Sequence, residues 1–252
     1  MLGDDRTLHT AGGLPFVGYV AGDEAASGAV LILHEWWGLK GHNRGWADRL
    51  AEAGFRALAI DLYDGRVTGD REEAAAWMRG LDPAAVEAKL VAALDTLAAG
   101  GRQIATLGFS LGGRHAFAAA LLRPDVVAAT VAGYCRMPTD EEVARLPGPL
   151  LAVYAERERS WPEKQRLFEA AMAGAGRTTE SVCFDAAHGF MDPESRNFDP
   201  AAAEATWHLD SAIVRHSAAD SVPYAALASR ISCSTYRKYA CAEIRSPPCL
   251  RT

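Results

Sequence analysis

Short apolar runs alternate with longer amphipathic segments along most of the chain. The short runs are typical of buried strands, and the longer segments, whose apolar residues recur at helical spacing, are typical of helices. The predicted strands are residues 29–34, 56–60, 103–108, 126–131, 149–154 and 181–184. The predicted helices are residues 46–53, 70–79, 83–99, 111–122, 162–173 and 200–215. This alternation predicts an α/β protein with a mostly parallel central sheet and helices on both faces.

The two ends of the chain depart from this rhythm. Residues 14–21 are apolar enough to supply one strand of an antiparallel hairpin at the sheet edge. Residues 217–252 have no clear period and mix Ser, Arg, Tyr and Cys, so we expect a poorly ordered tail in which only residues 224–230 suggest a short helix. We therefore divide the chain into one domain, residues 1–216, and an atypical C-terminal tail.

Composition and charge narrow the classes of function. Apolar residues make up 49% of the chain and charged residues 23%, which is enough apolar material for a sizeable core. The formal net charge of −6 argues against a nucleic-acid-binding surface, and no basic amphipathic run indicates a membrane surface. The start of the chain lacks the regions of an export signal, and no apolar run approaches bilayer-spanning length. We expect a cytoplasmic monomer or small homo-oligomer that acts on a small molecule.

The sequence shows no pattern for a metal or a disulfide framework. The five cysteines are odd in number and lack CxxC pairing, so free or buried thiols are expected. The segment from His34 to Gly38 begins like the zinc motif HExxH, but Gly38 stands where that motif needs its second histidine. We expect no metal and no organic cofactor.

The strongest local signal is Gly108-Phe109-Ser110-Leu111-Gly112, a GxSxG directly after a predicted strand and directly before a predicted helix. This placement indicates a nucleophile elbow, in which a sharp turn projects the Ser110 hydroxyl above the sheet edge. The N-terminal N–H groups of the helix that starts at Leu111 would favour an oxyanion beside that hydroxyl. The alternative is a glycine-rich connection in which Ser110 merely caps the helix.

A serine nucleophile needs a base and an orienting acid, and in such folds the chain order is serine, acid, histidine. The downstream histidines are His115, His188, His208 and His216. His115 lies in the helix just after the elbow, and the last two lie on the final helix. His188 follows a strand in a loop of small residues, from which a side chain can reach over the sheet edge, so we predict His188 as the base.

The acid is expected in the loop after the strand 149–154, because that strand ends at the same edge of the sheet. This loop carries two carboxylates, Glu156 and Glu158, and Asp185 near His188 is a third candidate. Spacing alone leaves the choice open.

The chain resembles the dienelactone hydrolase family over residues 29–215. The motifs behind the resemblance are His34-Glu35-Trp36-Trp37-Gly38, then Arg44, Ala47, Leu50, Ala51 and Gly54, then Asp61-Leu62-Tyr63, the GFSLGG elbow and Ala187-His188-Gly189-Phe190. The resemblance implies an α/β-hydrolase fold without a large cap domain and the hydrolysis of an ester or lactone. It implies Glu158 as the acid, because residues 155–162 match the family's Gly-Glu-x-Asp frame with its following Pro. It also implies that the backbone N–H groups of Trp36 and Leu111 form an oxyanion hole.

Two departures from the family pattern concern the catalytic residues. Ser110 stands where the founding dienelactone hydrolases carry Cys, and Glu158 stands where Asp is usual. In the Cys enzymes, the acid equivalent to Glu35 touches the resting thiol. Beside a serine hydroxyl, Glu35 would instead polarise the substrate or structure the site.

A third departure concerns the substrate. Dienelactone hydrolases bind the carboxylate of the lactone with arginines, one of them a few residues beyond the histidine, where this chain reads Met191-Asp192-Pro193-Glu194. Arg79 and Arg196 are the candidate substitutes, and Trp37 and Tyr63 are further candidates for the substrate site. The resemblance therefore predicts a serine esterase or lactonase for a small substrate. The alternative is a non-catalytic relative that binds a small ligand.

Overall fold

The protein is built around one eight-stranded sheet. The structure is a computed structural model and describes residues 2–177 and 179–217. The strands are β1 Asp4–His9, β2 Pro15–Ala21, β3 Gly28–Leu33, β4 Arg56–Ile60, β5 Gln103–Phe109, β6 Val127–Gly133, β7 Leu150–Ala155 and β8 Thr179–Phe184. The helices are α1 Gly41–Glu52, α2 Arg71–Arg79, α3 Pro83–Ala98, α4 Leu111–Leu122, α5 Asp140–Arg145, α6 Glu163–Gly174 and α7 Pro200–Ser217.

The strand order is β1-β2-β4-β3-β5-β6-β7-β8. Strands β1 and β2 form an antiparallel hairpin that joins β4 in antiparallel register, and all the other neighbours are parallel. The predicted mostly parallel sheet and its edge hairpin are therefore confirmed. The carboxyl ends of β3, β5, β7 and β8 lie along one edge, so the loops that follow them can meet there.

Helices cover both faces of the sheet, as predicted. Leu31 and Leu33 of β3 belong to one core cluster, which takes in residues of α3, α4, α5 and α6. Val30 and Ile32 point to the opposite face and share a second cluster with residues of α1 and α7. Side chains alternate between faces along a strand, so an uninterrupted apolar run such as that of β3 marks burial on both sides.

No separate cap domain covers the sheet within the described residues, and every described strand belongs to the one sheet. In the same part of the chain, no helix combines the length and the apolar character needed to cross a bilayer. From residue 218 onward the predicted tail lies outside the described residues, and so does the short helix predicted over 224–230.

Helix α1 begins at Gly41, well before the predicted start at Trp46. The periodic apolar pattern starts only at Trp46, because the preceding turn is polar and glycine-rich. That turn is fixed by Asn43, which is fully buried and accepts a hydrogen bond from the Lys40 N–H at 3.1 Å. Polar capping of this kind leaves no hydrophobic signature.

Strand β1 and helix α5 were not predicted. β1 is polar and mostly exposed, and its partner is β2, so the pattern of a buried strand is missing. Helix α5 is a short segment in which Val143 is the buried residue, and the reciprocal hydrogen bonds of Thr139 and Glu142 start it. Pro162, where the predicted helix begins, immediately precedes α6, which begins at Glu163.

Candidate active site

Ser110 occupies a strained turn between β5 and α4. Its backbone has φ 54° and ψ −119°, a region that residues with a Cβ rarely adopt and that costs roughly 1–3 kcal/mol. Two glycines make the turn possible. A Cβ on Gly108 would lie 2.3 Å from the carbonyl carbon of Gly112, and a Cβ on Gly112 would lie 2.1 Å from the carbonyl oxygen of Leu33. The GxSxG segment therefore forms the sharp strand-to-helix turn that the sequence predicts.

Replacing Gly112 with alanine is expected to lower the free energy of unfolding by roughly 1–3 kcal/mol, because the new methyl group collides with the Leu33 carbonyl. The matched control is Gly45→Ala in helix α1, where a Cβ meets nothing within 4 Å. That variant should be as stable as the parent or up to about 1 kcal/mol more stable. Urea unfolding measures both, and equal stability of the two variants would contradict the close approach of α4 to β3.

Ser110, His188 and Glu158 meet at the carboxyl edge of the sheet. The Ser110 Oγ lies 2.8 Å from the His188 Nε2, and the His188 Nδ1 lies 2.5 Å from the Glu158 Oε1. Of the three carboxylates left open by spacing, Glu158 is the one in contact with His188. Asp185 instead pairs with Arg157 at the surface, at 2.8 Å.

Backbone hydrogen bonds hold the loop of Glu158 against the loop of His188. The Glu156 N–H donates to the Phe184 carbonyl at 2.9 Å, and the Arg157 N–H donates to the Ala186 carbonyl at 3.1 Å. The acid therefore reaches the imidazole because the two loops continue the pairing of β7 with β8.

Glu158 is largely buried, and its carboxylate contacts two side chains, His188 and Lys164. Its second oxygen accepts a hydrogen bond from the Lys164 Nζ at 2.6 Å. Burial by itself raises the pKa of Glu158, but the hydrogen bonds from His188 and Lys164 outweigh burial and leave that pKa below its usual value. The carboxylate is therefore ionised at neutral pH. Sequence analysis did not identify Lys164, whose position six residues after Glu158 carries no motif.

The Nε2 of the other histidine near the elbow, His115, is buried without a hydrogen-bond partner in the described chain, whereas His188 contacts the Ser110 hydroxyl. Burial lowers the pKa of His115 to about 4, so its ring is neutral at pH 7. Cys135 is also buried beside α4, and burial raises the pKa of its thiol to about 12, so the thiol is protonated. The protonated Cys135 thiol is therefore a weak competitor of Ser110 as the nucleophile.

The loop after β3 is held by the buried ring of His34. The Leu62 N–H donates to the His34 Nε2 at 3.0 Å, so in the neutral ring the Nδ1 carries the proton and donates to the Glu35 carbonyl at 2.5 Å. Burial lowers the pKa of His34, which favours this neutral form. The backbone that presents Trp36 is thereby fixed. At the facing helix, the N–H of Leu111 is among the first four of α4, which have no acceptor within the helix.

Glu35 is engaged with other buried groups instead of the Ser110 hydroxyl. Its Oε1 accepts a hydrogen bond from the Tyr134 hydroxyl at 2.9 Å, and its Oε2 lies 3.3 Å from the His42 Nε2. The His42 Nδ1 in turn lies 3.4 Å from the Asp192 Oδ1. Burial, followed by the charge of Glu35, raises the pKa of Tyr134. Of the two roles left open for Glu35, these contacts favour structuring the site.

Glu35, His42 and Asp192 are also the described residues best placed to hold a metal ion, since one ligand atom from each lies within 4.8 Å of the others. The geometry does not suit one ion. Each carboxylate faces a different nitrogen of the same ring, and a single ion binds only one of those nitrogens. The imidazole of His42 therefore lies between two carboxylates, and neither ring nitrogen makes a hydrogen bond within the described chain.

Two clefts meet at Ser110 and His188. The first cleft has a volume of about 430 Å³, and its wall includes Glu35, Trp36, Trp37, Arg71, Glu194 and Arg196. Trp37 and Arg196 thus line the same cleft as Ser110, as the sequence suggests. The second cleft has a volume of about 460 Å³, and its wall includes Met78, Leu111, Arg114, Arg136, Met137 and Lys164.

Two predicted substrate residues lie elsewhere. Tyr63 is fully buried, and its ring contacts His34 and Trp77 instead of either cleft. Arg79, at the end of α2, lines neither of the two clefts. The arginine of this helix that does line the first cleft is Arg71, in its first turn, which the sequence analysis missed.

Comparisons with known proteins agree with this architecture. The model of the dienelactone hydrolase family matches residues 16–216. The dienelactone hydrolase of Anabaena variabilis ATCC 29413 is 24% identical with a TM-score of 0.64, and the comparison covers 86% of this chain and 99% of that one. The dienelactone hydrolase-like promiscuous phosphotriesterase P91, from metagenomic libraries, is 22% identical with a TM-score of 0.71 and the same coverage. Both likenesses concern the fold.

A curated relative spans nearly the same length. Protein usf of Aquifex pyrophilus is 24% identical over 218 residues, which cover 81% of this chain and 94% of that protein.

Proposed function

Because the chain belongs to the dienelactone hydrolase family, we propose that it is a serine hydrolase that cleaves a small ester or lactone through an acyl-enzyme. Family membership supports an ester or lactone hydrolase. The observation that carries the finer proposal is the continuous contact from the Ser110 Oγ to the His188 Nε2, at 2.8 Å, and from the His188 Nδ1 to the Glu158 carboxylate, at 2.5 Å.

The first half of the reaction forms the acyl-enzyme. Ser110 attacks the carbonyl carbon of the substrate while His188 takes the hydroxyl proton. The carbonyl oxygen becomes an anion, to which the N–H groups of Trp36 and Leu111 donate. The tetrahedral intermediate then collapses, the bond to the leaving oxygen breaks, and His188 returns its proton to that oxygen. For a lactone, the released alcohol stays attached to the acyl group.

The second half repeats these steps with water as the nucleophile. His188 takes a proton from water, the resulting hydroxide equivalent attacks the acyl carbon, and Ser110 leaves as the alcohol when His188 returns the proton. Throughout the cycle Glu158 holds the Nδ1 proton of the imidazole, so the Nε2 faces Ser110, and its negative charge stabilises the imidazolium that forms. Lys164 keeps Glu158 ionised and fixes its second oxygen.

A fluorophosphonate probe tests this proposal directly. An activated Ser110 would attack the phosphorus and expel fluoride, so we expect stoichiometric labelling that peptide mass spectrometry maps to Ser110. The same preparation should hydrolyse short 4-nitrophenyl esters, and labelling should abolish that activity. The variant Ser160→Ala, which removes an exposed serine in the loop of Glu158, should label like the parent.

The opposite result would favour the second candidate function, a non-catalytic protein that binds a small ligand in the same clefts. Such a protein has an unactivated serine, so it would neither label with the probe nor hydrolyse esters. Denatured protein serves as the blank for nonspecific modification.

A further inference from the structure

The base His188 stands in a segment of small residues that restrict the backbone little. Ala186 and Ala187 precede it, and Gly189 follows it with a φ of 83°, in the left-handed region that glycine adopts without strain. The His188 side chain is 49% exposed, so close packing on all sides does not hold it either. The placement of the base therefore depends on specific hydrogen bonds.

Contacts of the imidazole ring fix its direction. The His188 Nδ1 lies 2.5 Å from the Glu158 Oε1, and the ring meets that of Tyr134 edge-on, with the centroids 5.0 Å apart. Both contacts act on the far end of the side chain. They align the imidazole with Ser110 only while the main chain of His188 stays in place, so the support of that main chain matters to the proposed reaction.

The side chain of Asn197 supplies such a support. Its Nδ2 donates a hydrogen bond to the carbonyl oxygen of His188 at 2.8 Å, from a position nine residues further along the chain. The Asn197 side chain is partly buried and lines the first cleft together with Ser110 and His188. The amide thus ties the main chain of the base to the wall of the cleft in which the proposed reaction takes place.

Asn197 is itself held by the turn that precedes it. Its N–H donates to the Ser195 Oγ at 3.1 Å, and the Ser195 N–H donates to the Asp192 carbonyl at 2.9 Å. The N–H of Asp199 donates to the carbonyl of Phe190 at 3.2 Å, and the Phe190 ring is fully buried in the core. The segment after the base therefore folds back on itself and presents the Asn197 amide from an anchored turn.

We propose that Asn197 is a positioning residue, which holds the main chain of His188 so that the Nε2 stays within reach of the Ser110 hydroxyl. Proton transfer from that hydroxyl requires a short hydrogen bond, and the one present measures 2.8 Å. A displacement of the main chain would lengthen it, and misplacing a reacting group by about 1 Å costs on the order of a hundredfold in rate. This inference rests on the proposed hydrolase function and adds a residue that contacts neither Ser110 nor the imidazole.

The variant Asn197→Leu tests the proposal, because leucine has a shape close to that of asparagine but no donor. We expect kcat for 4-nitrophenyl acetate to fall by about tenfold to a hundredfold, with KM changed by less than about threefold. The small acetyl ester limits direct effects of the new side chain on substrate binding in the first cleft. Labelling of Ser110 by the fluorophosphonate probe should slow by a similar factor. Both rates are measured well below the urea midpoint of the variant, so that folded protein is compared.

Two further variants separate the hydrogen bond from packing. Asn197→Gln keeps an amide donor on a longer arm and should retain more activity than Asn197→Leu. Phe198→Leu introduces the same new side chain at the next residue, whose exposed ring lines neither cleft, and should keep the parental kcat. The inference is overturned if Asn197→Leu keeps a kcat within about twofold of the parent, which is less than a lost hydrogen bond costs. It is equally overturned if Asn197→Gln is no more active than Asn197→Leu.

Proton NMR separates this inference from the proposed function. The Nδ1 proton of His188, in its short contact with Glu158, should give a resonance far downfield that is absent from the variant His188→Gln. Asn197→Leu should broaden or remove this resonance, and Phe198→Leu should leave it unchanged. Loss of the resonance in Asn197→Leu, without ester hydrolysis or probe labelling by the parent, would refute the hydrolase alone. Ester hydrolysis by the parent, with both the resonance and kcat kept in Asn197→Leu, would refute only the role of Asn197.

Discussion

Replacing Ser110 with alanine is expected to lower kcat for ester hydrolysis by about 10⁶-fold, to the level set by binding and the oxyanion donors alone. The substitution removes the attacking oxygen, so no acyl-enzyme forms, and His188 has no proton to accept from the enzyme. The side chain loses one atom and the backbone turn is unchanged, so the urea midpoint should stay close to that of the parent. Initial rates with a 4-nitrophenyl ester, measured beside Ser160→Ala, give the comparison.

Retained turnover in the Ser110 variant at a tenth or more of the parental rate would contradict the assignment of the nucleophile. Residual activity must be checked for contamination, which burst titration with the fluorophosphonate probe measures as labelled protein per chain. A true variant gives no label at residue 110.

Replacing Glu158 with glutamine is expected to lower kcat by about 10⁴-fold. The amide can donate to the Nδ1 of His188 and thereby favour the wrong tautomer, and it carries no charge to stabilise the imidazolium. Glu158→Asp keeps the charge on a shorter arm, so it should retain far more activity than the amide. Glu163→Gln, which removes a carboxylate from an exposed ion pair with Arg166, is the matched control and should be fully active.

We also expect the difference in stability between the parent and Glu158→Gln to depend on pH. Because the pKa of Glu158 is lower in the folded protein than its usual value, the ionised side chain stabilises the fold above that usual value, near pH 4.3. This contribution is lost as the pH falls through the lowered pKa. The stability difference between the parent and Glu158→Gln should therefore shrink on acidification, and urea unfolding at pH 7, pH 4 and pH 3 measures it. A difference that grows instead would mean that the ionised carboxylate is not the stabilised form.

The sheet, Ser110 and His188 could be predicted because each is marked by a recognisable pattern in the sequence. The elbow needs glycines at fixed offsets, and the chain order of the reacting groups limits the histidines to be considered. No local pattern distinguishes Glu158 from Glu156, since both are carboxylates in one loop and only the direction of the side chain differs. The family resemblance selected it, and the contact with His188 lies where that selection placed it.

Several site residues that sequence analysis missed contact one another although they are far apart in the chain. His42, Tyr134 and Asp192 come from three distant segments, and nothing in their local sequence indicates that they meet. The exchange of Arg79 for Arg71 has a simpler cause. Helix α2 advances about 1.5 Å per residue, so its two arginines stand about 12 Å apart, and the first cleft reaches Arg71 but not Arg79.

The position of His42 between two loops bears on how the candidate site is assembled. Its ring contacts Glu35, next to the amide of Trp36, and Asp192, in the turn that follows His188. His42 therefore packs between the loop of Trp36 and the turn after His188, and on the proposed mechanism it would set the spacing between base and oxyanion donor before substrate binds. A catalytic centre arranged in this way would need no realignment of its two loops at each turnover of the proposed reaction.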